Sequence, residues 1–90
     1  MATVRIPQPL RNLTGDKATV DADGDTLSAL IANLEASYPG IRERLLDDAG
    51  EIRRFVNIYV NGDDVRFIDG LNTAIKANDE VSIVPAVAGG

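Results

Sequence analysis

The residues best placed to do chemistry stand at the close of the chain, "VPAVAGG", Val84 to Gly90. An α-carboxylate has a pKa of ~3.5, so it is ionised at neutral pH and can attack the α-phosphorus of ATP once a partner enzyme positions both groups. Glycine lacks a Cβ, which lets Gly89 and Gly90 thread a narrow channel and adopt backbone angles that other residues resist. A frayed end is the bland reading of the same two residues. Nothing else in the chain competes strongly. There is no cysteine and no histidine, which removes the thiol nucleophile, the disulfide scaffold, the thiolate zinc site and the usual general base.

Acidic clusters at Asp21, Asp23 and Asp25, at Asp47 and Asp48, and at Asp63 and Asp64 offer paired carboxylates or oxygen ligands for calcium. The first lacks the glycine and terminal glutamate of an EF-hand at the right offsets. Turn formation, helix capping and solubility account for all three. Gly24, Gly40, Gly50, Gly62 and Gly70 are isolated, so no phosphate-binding or dinucleotide loop is present. Arg42, Arg44, Arg53 and Arg54 are interspersed with Glu43, Asp47, Asp48 and Glu51, the pattern of a mixed solvated surface.

These residues need a scaffold, and 90 residues supply one domain. Fourteen acidic against nine basic residues give a net charge of -5, which disfavours a nucleic-acid partner because phosphate binding relies on Lys and Arg. The N-terminus lacks the apolar core of a signal peptide, and no stretch approaches the ~20 apolar residues of a membrane span. A soluble, cytoplasmic protein is expected.

Alternation at Val4 and Ile6 predicts an opening strand that ends near Leu10, with Pro7 and Pro9 limiting further pairing. A turn at Gly15 and Asp16 leads to a second strand with Ala18, Val20 and Ala22 on one face. Leu27, Leu30, Ile31, Leu34 and Tyr38 follow helical spacing and predict a helix over 26–37, capped by Asp25 and stopped by Pro39 and Gly40. "IRERLLDD" adds a short helical turn. "RFVNIYVNGDDVRF" holds two strands around an Asn61-Gly62 turn. Val56, Ile58 and Val60 share one face there, while Phe55, Asn57 and Tyr59 share the other. The segment 69–80 reads as a connection with one helical turn. "EVSIVPA" is the last strand, with Val81 and Ile83 inward and Pro85 ending regular pairing.

The order β-β-α-β-β-β predicts an α+β fold, the ubiquitin-like β-grasp: a mixed sheet packed on one main helix. Its last strand must lie centrally, because the crossover sets later strands beside the first. Residues 1–85 form the domain and 86–90 a free, flexible tail. Phe55, Tyr59 and Val84 fall on the sheet face that the single helix leaves uncovered. Two readings stand for them: a protein interface, or packing of Phe55 under the adjacent loop.

"GDTL" at Gly24 to Leu27, "RFVNIYVN" at Arg54 to Asn61, "DVRF" at Asp64 to Phe67 and "PAVAGG" at Pro85 to Gly90 occur in order on this scaffold. Together they resemble the MoaD/ThiS family of ubiquitin-like sulfur carrier proteins, and most closely its members in cysteine biosynthesis. The resemblance spans nearly the whole chain. It implies that an E1-like adenylyltransferase/sulfurtransferase uses ATP to adenylate Gly90, and that a sulfur donor converts the adenylate to a thiocarboxylate. It further implies a PLP-dependent cysteine synthase that accepts the sulfur and a metal-dependent peptidase that releases cysteine. The carrier itself would be no enzyme but a co-substrate, monomeric when free and binding no cofactor or metal.

Absent cysteines agree with that role, since no internal persulfide can form. Gly89 and Gly90 would be the working group. Ala86, Val87 and Ala88 would give reach, because the five residues from Ala86 extend at most ~17 Å. Phe55, Tyr59, Val84 and Pro85 would dock the partner, and the tail residues would line its channel. A molybdopterin-synthase small subunit or a secondary-metabolite carrier remains an alternative; many such subunits carry bulkier residues before the final "AGG". A ubiquitin-like protein modifier and a plain interaction module are the others.

Overall fold

The structure is a computed structural model that describes residues 1–85; the expected tail at 86–90 lies outside the described residues. Five strands make one sheet in the order β2-β1-β5-β3-β4. They are β1 (Ala2–Arg5), β2 (Thr19–Ala22), β3 (Val56–Val60), β4 (Asp63–Asp64) and β5 (Glu80–Pro85), with helices α1 (Leu27–Ser37) and α2 (Ile41–Leu45) between β2 and β3. The last strand is central, as the topology requires. β5 runs parallel to β1 through Val4↔Val81 and antiparallel to β3 through Ile58↔Ile83. This is the ubiquitin-like β-grasp.

Period-two alternation in the strands meets period-3.6 spacing in α1, and the core forms where the two coincide. Val4, Ile58, Val81 and Ile83 line the inner sheet face, while Leu27, Leu30, Ile31 and Leu34 face them from α1, each of these four only 1% exposed. Burying a side chain of this size contributes ~1.5–3 kcal/mol. Tyr38, at the same helical spacing, is only partly buried and ends α1 as its C-cap.

Two backbone positions let this packing close. A Cβ on Gly24 would sit 2.4 Å from the amide nitrogen of Leu30, so only glycine admits this close approach of the β2–α1 link to the helix. Gly40 adopts φ +99° between the helices, a left-handed conformation that glycine takes without strain. The carboxylate of Glu35 accepts from the amides of Gly40 and Arg42, the latter at 2.9 Å. These bonds, Arg42's first, hold the Glu35 carboxyl below its ordinary pKa.

Four local expectations need correction. β1 stops at Arg5 instead of running to Leu10, because Pro7 and Pro9 open a 3-10 helix over Gln8–Leu13 that buries Leu10. Ala18 is exposed and precedes β2. The cap of α1 is Thr26, whose Oγ1 accepts from the Ala29 amide at 3.2 Å, while the backbone carbonyl of Asp25 accepts from Ile75. Finally, the strand after Asn61-Gly62 lasts two residues and turns into a 3-10 helix at Val65–Phe67.

Candidate functional site

The described chain ends on the last residues of β5, so the site is built from what stands beside them. From Glu80 to Ser82, β5 is flanked on both sides, by β1 and by β3 with the Asn61 that follows it. After the Arg5↔Ser82 pair, β1 turns away toward Pro7, and only β3 accompanies Ile83, Val84 and Pro85. Pro85 pairs with Val56, and Val84 with Asn57.

Hydrogen-bond phase explains why a proline is tolerated at Pro85. The Val56 amide donates to Arg53 and its carbonyl accepts from Arg66, so both groups point away from β5. Asn61 donates to the Glu80 carbonyl at 2.8 Å, and by the two-residue period Tyr59 and Asn57 also address β5. Pro85 therefore occupies a position between ladder bonds, where its missing N–H costs nothing. Among the described residues, the Asn57↔Val84 pair is the last that can exchange backbone bonds.

Val84, on the uncovered face, is 44% exposed, and Phe55 is 50% exposed. Phe55 lies one residue before β3 and is not tucked beneath a loop. Tyr59 is partly buried, between Ser82 of β5 and Asp64 of β4. The structure thus places Tyr59, Val84 and Pro85 along the β3–β5 seam and Phe55 just before β3. The predicted Ala86, Val87, Ala88, Gly89 and Gly90 lie outside the described residues.

Sequence reasoning missed Phe67, which is 88% exposed, and its neighbour Ile68. Read as strand, "DVRF" sets Phe67 on the same face as the fully buried Val65. The 3-10 turn instead rotates Phe67 outward. The signal was Asp64, whose carboxylate accepts from the Arg66 amide at 2.9 Å and starts the turn. Arg66 was also missed; its guanidinium spans three oxygens at the start of β3.

Little else resembles a reaction centre. Among the described residues no group of three or more acidic side chains is arranged to hold a metal ion. An open polar hollow of about 600 Å³ is lined by Arg42, Asp47 and Arg53 among others, and the Nε of Arg53 donates into the Glu43 carbonyl. Ion pairs among the described residues are the Met1 amine with Asp23 and Arg5 with Glu80, both exposed, so both count for little. No helix among the described residues is long and apolar enough to cross a membrane.

Comparison with known proteins supplies what the geometry lacks. A model of the ThiS family matches residues 4–90. The sulfur carrier protein CysO of Mycobacterium tuberculosis is 59% identical over 90 residues, 98% of this chain and 97% of its own length. Its crystal structure superposes with a TM-score of 0.93 at 56% identity, covering 97% of this chain and 100% of the other. CysO in the BexX/CysO complex of Amycolatopsis orientalis gives a TM-score of 0.94 at 43% identity, with full coverage of both chains. Small archaeal modifier protein 3 of Haloferax volcanii is 41% identical over 83 residues, 89% of this chain and 88% of its own.

Proposed function

Because the chain belongs to the ThiS family, we propose that it is a sulfur carrier whose Gly90 carboxylate is activated and converted to a thiocarboxylate, most directly for the synthesis of cysteine. The full-length likeness to a mycobacterial sulfur carrier, ending on Gly89-Gly90, carries this reading. In the first step a carboxylate oxygen of Gly90 attacks the α-phosphorus of ATP, and pyrophosphate leaves. A sulfur nucleophile such as hydrosulfide then attacks the acyl carbon. AMP departs with the bonding pair, one proton is released, and the thiocarboxylate remains. Activation is needed because a carboxylate oxygen is a poor leaving group and AMP a good one.

In this reading the domain supplies docking and direction, and the reacting groups other than Gly90 belong to partners. An E1-like enzyme performs the adenylation. A PLP-dependent synthase accepts the sulfur, and a metal-dependent peptidase frees the product cysteine. Phe55, Tyr59 and Val84 form the docking face, Pro85 marks the exit from the fold, and Ala86 to Ala88 give reach. Intact mass spectrometry after incubation with the cognate activating enzyme, ATP and sulfide is expected to show one sulfur-for-oxygen exchange. An unchanged mass with an active enzyme overturns the reading.

The likeness to an archaeal modifier protein favours a second reading beside the first. The same adenylate reacts with a lysine ε-amine, which displaces AMP and forms an isopeptide bond. Lysine-linked adducts in a lysate, and none in a Gly89-Gly90 deletion, would establish it.

A further inference from the structure

β4 covers β3 only at Tyr59 and Val60. Had β4 continued, residues 65 to 67 would lie beside Ile58, Asn57 and Val56, but the chain turns into its 3-10 helix there and leaves that edge of β3 without a strand. Arg66 fills the gap. Its Nη1 donates to Asn57 Oδ1 at 2.7 Å, and its Nη2 donates to the carbonyls of Val56 at 2.7 Å and Arg53 at 2.8 Å. One planar cation thus does for Val56 what a neighbouring backbone does elsewhere in the sheet. Lysine's single ammonium lacks the fork geometry to reach acceptors on three residues at once.

What Arg66 holds is itself a support. Val56 and Asn57 are the partners of Pro85 and Val84, and β1 has already departed on the other side of β5. The direction in which the chain leaves the fold therefore depends on a short piece of β3. On one edge that piece is fixed by Arg66.

We propose that Arg66 is a positioning residue for sulfur loading: it clamps the start of β3 so that the terminal glycines enter the activating enzyme along one path. This rests on the sulfur-carrier reading above. Reaction rates depend steeply on the placement of reacting atoms, and a root that frays back toward Ser82 spreads the tail over many directions. Of the docking face, Val84 lies on the piece that frays, while Tyr59 lies deeper in β3 opposite Ser82, so the loss falls more on turnover than on affinity.

The test is steady-state loading of the full chain by the cognate activating enzyme with ATP and sulfide, carrier concentration varied, read by intact mass. Arg66→Ala is expected to lower kcat about tenfold with KM within about twofold of the parent. Arg66→Lys is expected not to restore it. Asn57→Ala, which keeps both carbonyl bonds, is expected to lower kcat by less and guards against misfolding of the first variant. Ile75→Ala, a core change beside Asp25 at the opposite end of β5, serves as a stability control and is expected to load normally. Amide exchange should quicken at Asn57 and Val84 in Arg66→Ala while Val4 and Val20 keep their protection. Unchanged kcat and unchanged exchange at Val84, full rescue by lysine, or an equal fall in Ile75→Ala would each overturn the clamp. A parent chain that takes up no sulfur removes the carrier reading and the clamp's role with it, whereas a parent that loads beside an unimpaired Arg66→Ala removes the clamp alone.

Discussion

The two halves of β5 are built differently. Glu80 to Ser82 lie between β1 and β3, with Val81 1% exposed beneath α1, while Ile83 to Pro85 have a strand on one side only and carry the exposed Val84. The first half ties the sheet together across its middle, and the second half leaves one flank open. On the sulfur-carrier proposal, stability and delivery are thereby separated along six residues. Changes in the first half are expected to unfold the protein, and changes at or beyond the second to silence it.

The sharpest break in this contrast comes from the chain's end. Deleting Gly89 and Gly90 is expected to abolish sulfur loading while the thermal midpoint stays where it was. A truncated chain that still gains sulfur would show that the chemistry lies elsewhere. In the opposite half, Val81→Ala removes two carbons from the centre of the core and is expected to cost ~2 kcal/mol, which lowers Tm by about 8–16 °C in a domain of this size. Loading measured well below that Tm should be unaffected, and calorimetry beside the mass assay checks both.

A smaller effect is expected on the outer face. Phe55→Ala and Tyr59→Ala each remove aromatic surface beside the exit strand and should raise the activating enzyme's KM by about five- to thirtyfold, the ordinary cost of losing a warm interface aromatic. Since Phe55 is already half exposed, its fold should survive. KM values equal to the parent's in both variants would take that face out of the docking surface.

The smallest concerns acid. Asp79, just before β5, accepts from the Asn61 side-chain amide at 3.0 Å and from the Lys76 backbone at 2.8 Å, and these bonds, Asn61's first, hold its carboxyl below the ordinary value. A folded pKa below the unfolded one contributes stability that is present above the unfolded pKa and lost as pH falls through the folded one. Stability should therefore decline below about pH 4, and Asn61→Ala should flatten part of that decline without altering loading at neutral pH. Denaturant midpoints across that range test it; an unaltered acid slope in the variant would remove Asp79 as a contributor.

Much of this architecture was legible in the sequence because the relevant signals are periodic. Leu27, Leu30, Ile31 and Leu34 could face only one way, and the alternation of Val56, Ile58 and Val60 fixed the inner face of β3. Features set by competition between neighbouring residues were not legible in the same way. Asp25 and Thr26 both suit an N-cap, and the choice fell to Thr26 because the chain at Asp25 is already engaged with Ile75. Val65 and Phe67 alternate like strand residues, yet the Asp64 side chain outbids a longer ladder and sends Phe67 outward. Arg66 was invisible for a further reason. Two of its three acceptors are backbone carbonyls ten or more residues away, and carbonyls carry no sequence signature.

The parallel pairing of β1 with β5 has a practical reading. Thr3 lies beside Glu80, so Met1 emerges at the start of β5, and Pro85 stands five residues further along, a distance of roughly 16 Å at the usual strand rise. The Met1 carbonyl accepts from Asn78, which fixes that pole. A bead, a dye or an affinity tag attached through the first residue would therefore hang from the far side of the molecule. The protein could be tethered to a surface by that pole with its exit face turned toward solution, open to whatever enzyme is passed over it.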